Sequence, residues 1–300
     1  MKIIKRYTSL FLIAGLFFTG CDKPAVTELV QDEDQYTVEA MTEDPSDESK
    51  SIDSIGVTDN LLRYTSVVTL AGLTTSYYNF KFDESSAAQA LLFDKNQPIY
   101  SPEGDLIGYH TITPGIVRFD NKIARLLPYK FKFRREGSIA DTVAGNQYIL
   151  FSRQRFGDPF EFPYDSFINF SYTPFNGQNG GSIDIVTPKK IDASVSVKGN
   201  IRNRTLDVLL EWKNVSNRKI EIILCGKIMR SKSIIPVLRF KTEDDGKFPI
   251  PAELLNNLRF ALYDNLIILL ERKSETKYTF ERGDLYVFSK SVHRIDIDIP

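Results

Sequence analysis

Cysteine, histidine and tryptophan are nearly absent from these 300 residues: Cys21 and Cys225, His110 and His293, and Trp212 are all there are. Two histidines far apart exclude the paired spacing of a zinc centre. Neither lies near Cys225 in sequence, and no serine sits in a nucleophile elbow, so no ready nucleophile–base set is legible. Once Cys21 is committed elsewhere, Cys225 has no partner for an intramolecular disulfide. Missing too is any apolar run of the roughly 20 residues needed to cross a bilayer as a helix. A net charge of −1 gives the chain no general attraction to nucleic acid. Helical periodicity is also scarce, appearing only over Pro251–Leu258, where proline opens the first turn.

The N-terminus carries an address. Lys2, Lys5 and Arg6 precede the apolar stretch Leu10 to Phe18, and Thr19-Gly20-Cys21 closes it with small residues, which is the build of a secretion signal over residues 1–20. Phe18-Thr19-Gly20-Cys21 resembles the lipobox of bacterial lipoproteins. That resemblance implies cleavage before Cys21, acylation there, and a membrane partner reached through the acyl chains. Localisation is expected in the cell envelope, at the outer membrane, with the face left open. Asp22 resembles an inner-membrane retention signal of enteric bacteria, and Asp32-Glu33-Asp34 resembles the surface-export signal of other Gram-negative lineages.

Charge is distributed unevenly. Asp22 to Asp59 holds twelve acidic residues against Lys23 and Lys50, whereas residues 60–300 hold 33 basic and 27 acidic. The acidic, Ser/Thr/Pro-rich stretch lacks the apolar surface to offset its ordering entropy. Residues 21–60 are therefore expected to be a flexible tether behind the acylated cysteine.

From Leu61 the period becomes two. Arg63–Leu70, Tyr77–Phe82, Ile116–Phe119, Gln147–Phe151, Ser182–Val186, Ile191–Val197, Leu206–Trp212, Lys219–Cys225, Leu262–Glu271 and Leu285–Ile299 read as strands separated by turn formers. The fold class expected is all-β: two β-sandwich domains, immunoglobulin-like or jelly-roll-like, over 61–187 and 188–300, after a disordered N-terminal tether. Leu206, Val208, Leu210 and Trp212 share one strand face and are expected in the core. Cys225, His110 and His293 fall in apolar phases and are expected as core side chains. Asp244-Asp245-Gly246 reads as a tight turn, and Asn176–Gly181 as a turn, since no helix follows it to cradle a phosphate.

The elements from Leu206 to Ile299 are similar in order to a group of bacterial lipoproteins and secreted proteins. The matching features are Leu210-Glu211-Trp212, Ile220–Leu224, the Asp244-Asp245-Gly246-Lys247-Phe248 turn and Ile250-Pro251-Ala252-Glu253-Leu254-Leu255. The resemblance implies a β-sandwich and supplies no catalytic residue.

Function follows as an expectation: a lipid-anchored envelope protein with a non-catalytic binding or structural role toward a protein or glycan, without catalytic, cofactor or metal residues. The alternative is a tethered hydrolase of glycans or peptides, with Glu161 and Asp165 as first carboxylate candidates. Asp158, Glu161 and Asp165, neighbours in one aromatic loop, are the weak ligand candidates. Ser54 and Thr142 lie in Asp-Ser/Thr-aliphatic triplets that resemble O-glycosylation acceptors.

Overall fold

The computed structural model describes residues 36–41, 64–102, 104, 106–135, 138–152, 159–177, 180–200, 203–229, 233–258, 260–280 and 283–298. In chain order the strands are β1 (Tyr36–Ala40), β2 (Ser66–Tyr77), β3 (Phe80–Tyr100), β4 (Leu106–Thr111), β5 (Gly115–Phe119), β6 (Lys122–Ile123), β7 (Arg125–Arg135), β8 (Ser138–Phe151) and β9 (Phe167–Pro174). There follow β10 (Gly181–Val186), β11 (Asp192–Lys198), β12 (Asp207–Lys213), β13 (Lys219–Ile228), β14 (Ile234–Glu243), β15 (Lys247–Ile250), β16 (Tyr263–Phe280) and β17 (Gly283–Asp298). One short helix, α1 (Ala252–Asn256), begins after Pro251 and buries Leu255, as the proline and the apolar spacing predict. The chain is nearly all β, and its sheets are not closed into a barrel.

A ten-stranded sheet runs β1-β14-β13-β16-β17-β2-β3-β8-β7, with β4 added to the far half of β3. Two small sheets, β10-β9-β5-β6 and β11-β12-β15, lie on one face of it. The alternation of each strand explains the layering. Ile220, Ile222 and Leu224 of β13, Leu266, Ile268 and Leu270 of β16, and Ile295 and Ile297 of β17 meet Val208, Leu210, Trp212, Phe248 and Ile250 of the three-stranded sheet. Farther along the same face, Val68, Leu70, Ala88, Ala90, Tyr148, Leu150, Leu285 and Val287 meet Val117, Phe119, Ile168, Phe170 and Ile185 of the four-stranded sheet. Trp212 is therefore core, as are Leu206, Val208 and Leu210.

The two sandwiches expected from sequence share their large sheet. β17 pairs in parallel with β2 from Leu285↔Ser66 to Asp296↔Tyr77, so the last strand of the chain joins one of the first. Its Leu285 and Val287 serve one core, and Ile295 and Ile297 the other. The boundary drawn at 187/188 thus falls in the chain but not in the sheet. Central strands β2 and β13 are buried on both faces, which is why they read as near-continuous apolar runs. On the face opposite the small sheets, Ile223, Cys225, Ile267, Leu269 and Val292 form a further buried cluster. Cys225 is fully buried there, and burial pushes its thiol far above the ordinary range, which leaves it a packing residue.

Two expectations require correction. Tyr36–Ala40, inside the stretch read as tether, is an edge strand antiparallel to β14, with Val38 opposite Phe240 and Tyr36 packed on Phe240 and Phe248. Its Tyr-Thr-Val core has strand propensity that the surrounding acidic composition masked. Tyr77–Phe82, read as one strand, is a hairpin turn in which Tyr78 takes a positive φ of 49°.

Candidate functional site

The hairpin joining β2 to β3 carries the most exposed aromatic group among the described residues. Phe80 is 79% exposed, Phe82 62% and Tyr77 40%. Large apolar side chains in water are usually scattered singly, and a cluster on one turn marks a contact surface. The turn is braced on three sides. The Tyr77 hydroxyl donates to the Asp298 carboxylate, which also accepts from Asn265 Nδ2 at 2.7 Å. The Tyr78 amide donates to the Asp296 carbonyl at 2.9 Å, and the Val195 amide donates to Asn79 Oδ1 at 2.8 Å. The hydrogen bond to Asp298, with some burial, pushes the Tyr77 phenol up to about 12, so the phenol stays protonated at neutral pH. The Tyr77 and Tyr78 rings meet edge to face at 5.0 Å and 89°. Beside the tip, Lys81 and Lys190 both pair with Glu84, and Lys190 lies 5.4 Å from the Tyr164 ring centre. Partial burial and then the neighbouring Lys190 lower the Lys81 ammonium.

Next to this tip the three-stranded sheet is joined to the large one through side chains. Along β11 and the residue before it, alternate amides bond outward: Ile191 to Ser291 Oγ at 3.3 Å, Ala193 to His293 Nδ1 at 2.9 Å, and Val195 to Asn79. Three side chains replace a neighbouring strand. His293 Nδ1 thus faces the Ala193 amide and, at 3.2 Å, the Ile191 carbonyl, while Nε2 lies 3.0 Å from Ser76 Oγ. Burial lowers the His293 pKa, and nearby Lys81 and Lys190 push the same way against the Ile191 carbonyl and Asp192. A proton that binds the unfolded chain better than the folded one costs stability on acidification. Stability is therefore fully present above the ordinary histidine value and is lost as pH falls below it. Urea midpoints measured from neutral to mildly acidic pH should drop more steeply for wild type than for His293→Asn; equal slopes would remove His293 as the cause.

A second buried set holds the Thr187–Lys190 connection. Arg272 Nε donates to Asp244 Oδ2 at 2.6 Å and Nη2 to Oδ1 at 2.8 Å, a bidentate pair with both side chains almost completely buried. Trp212 Nε1 donates to Oδ1 at 2.6 Å and Ser216 Oγ to Oδ2 at 2.5 Å. Arg272 Nη1 reaches the carbonyls of Lys190 and Lys189 at 3.1 and 3.4 Å. Burial opposes ionisation of Asp244, yet the bonds from Arg272, Ser216 and Trp212 outweigh it and hold the carboxyl below its usual range.

The residues singled out from sequence are dispersed. Cys21, Ser54 and Asp158 lie outside the described residues. Thr142 sits in β8 opposite Phe131, half-buried. Glu161 and Asp165 are exposed, and Asp165 takes a positive φ of 54°. The loop's aromatics beside them point inward: Phe160 and Phe162 are core residues, and Ser86 Oγ donates to the Phe160 carbonyl at 2.7 Å. Gly72 lets this loop lie directly on β2, since a Cβ there would fall 2.6 Å from Phe162 and from the Tyr164 hydroxyl. Among the described residues no group of three His, Cys, Asp or Glu is placed to hold a metal ion. The turn Tyr78-Asn79 contains no glycine, so in sequence Phe80 and Phe82 fall within a strand running Tyr77–Phe82.

No family model matches this sequence, and no curated protein matches it. Among solved structures the chain is similar to the yeast delta-COP-I mu-homology domain, at 9% identity and a TM-score of 0.25 over 81% of this chain and 98% of that one. The same domain complexed with a Dsl1 WxWxV peptide gives 8% identity and a TM-score of 0.26 over the same shares. At such scores neither fold nor partner transfers from one protein to the other.

Proposed function

We propose that this chain is a lipid-anchored protein of the bacterial cell envelope, acylated at Cys21 and located at the outer membrane, whose body binds a protein or glycan partner without chemistry. The observation that carries the binding role is the braced aromatic tip: Phe80 and Phe82 stand in water on a turn that Asp298, Asp296 and Val195 hold in place. Rigid, exposed aromatic side chains supply contact area at low entropic cost, and they dominate binding interfaces for that reason. The anchor is supported by the basic start, the short apolar run and the small residues before Cys21.

Two measurements on one preparation test the two halves. Intact mass of membrane-extracted wild type should show loss of residues 1–20 and added acyl mass, both abolished in Cys21→Ala; an unmodified, soluble wild type rejects the anchor. A photoreactive phenylalanine analogue placed at position 80 should give a discrete adduct in living cells, and the same analogue at Phe175, which is also 68% exposed, should not. Equal, diffuse labelling from both positions rejects the tip as the binding surface.

A further inference from the structure

The far edge of the ten-stranded sheet is chemically unlike the rest of the surface. Among the described residues β7 is the outermost strand there and pairs with β8 alone. β7 itself, Arg125–Arg135, holds five basic residues and no acidic one, with Asp141 of β8 opposite Lys132. Exposed aliphatics accompany them: Ile123 is 59% exposed, Leu126 48%, Leu127 40% and, on β8, Val143 54%. Lys130, directly opposite Val143, is exposed as well.

An open edge invites an added strand, but this one is built to refuse it. Pro128 removes a donor, and the register breaks between Pro128 and Lys130. What remains is a strip of cations interleaved with aliphatic side chains, the combination that settles on a membrane surface: aliphatics enter the headgroup boundary while lysine and arginine face anionic lipid. The opposite edge, β1, is where the chain arriving from Cys21 joins the body. The ten-stranded sheet could thus span from the anchored end to a second membrane contact.

We propose that the β7–β8 edge docks on an anionic phospholipid surface, with Arg125 and Lys130 facing headgroups and Leu127 and Val143 entering the interface. This names a second partner for the body and rests on the anchored reading only for its proximity to lipid. The test uses the mature protein carrying Leu127→Cys labelled with an environment-sensitive nitrobenzoxadiazole dye, Cys225 being buried and Val215→Cys serving as the control position. On vesicles of about one part phosphatidylglycerol to three of phosphatidylcholine the label at 127 should leave water, revert in high salt, and stay wet on phosphatidylcholine alone. The label at 215 should stay wet throughout. Arg125→Gln with Lys130→Gln should shift the docking equilibrium about 30-fold toward the undocked state, since each basic residue near such a surface contributes a roughly fivefold factor. A label at 127 that stays wet on anionic vesicles, enters neutral vesicles equally, or enters together with 215 overturns the docking. Failure of the protein to float with neutral vesicles rejects the anchor instead, and the behaviour of the label on anionic vesicles is read independently of it.

Discussion

Asp244→Ala should destabilise the fold by about 3–5 kcal/mol, because it leaves the Arg272 guanidinium buried without its counter-ion and strips Trp212 Nε1 of its acceptor. Removing both charges differs from removing one. Asp244→Leu with Arg272→Met avoids the orphaned cation, so the double variant should recover most of that loss, although the Lys189 and Lys190 carbonyls and the Ser216 hydroxyl lose their partner. Urea midpoints of the wild type, Asp244→Leu, Arg272→Met and the double variant close the cycle, with Asp244→Ala measured alongside. A double variant no more stable than Asp244→Ala would show that the pair is needed for its bonds to the connection and not for charge balance. The carboxyl is held below its usual range, so its contribution is present above the unfolded value of about 3.9 and is lost as pH falls through the lower folded value. Acid unfolding should accordingly begin in that window in wild type and be blunted in the double variant.

Phe119→Ala should cost about 3–5 kcal/mol as well, since the ring is fully buried between Phe160 and Phe170 at centroid distances of 6.3 and 5.5 Å. The informative part is where the loss is seen. Trp212 is the sole tryptophan and belongs to the other core. β17 contributes Leu285 and Val287 to one core and Ile295 and Ile297 to the other within one continuous ladder on β2 and β16. A cavity beneath the four-stranded sheet should therefore lower the midpoint seen by Trp212 fluorescence as much as the one seen by circular dichroism. A Trp212 transition that stays in place while the dichroism splits would mean that the two sandwiches melt separately.

The sequence made the strands legible where one face is buried and the other wet. Leu206, Val208, Leu210 and Trp212 alternate cleanly because β12 lies in a small outer sheet, and their core position follows from period alone. It could not give the shared sheet. The parallel pairing of β17 with β2 joins residues more than 200 positions apart, and β2 is buried on two faces, so its sequence does not say which strand lies beside it. The buried pair was hidden for another reason: Asp244 reads as the first residue of a turn, and Arg272 falls just past the strand expected over Leu262–Glu271. His293 was legible as a core histidine from its apolar phase, but its role as an acceptor for the Ala193 amide needs the geometry of a different sheet. The candidate site was the least legible of all. A two-residue turn without glycine disguised the aromatic tip, whereas the aromatic loop that drew notice for its carboxylates spends its rings on the core.

If Cys21 is acylated as proposed, the pairing of Tyr36–Ala40 with β14 sets a ceiling on where this protein can act. On the anchored reading proposed above, fifteen residue steps would separate Cys21 from β1, a span of at most about 50 Å, against more than about 130 Å if the body were met only at Leu61. The hemisphere the body can sweep shrinks as the cube of that radius, by roughly 18-fold, and any partner on the same membrane meets it at a correspondingly higher effective concentration. Under the proposed confinement a binding surface of modest intrinsic affinity would suffice, and the five residues of β1 are what would impose it.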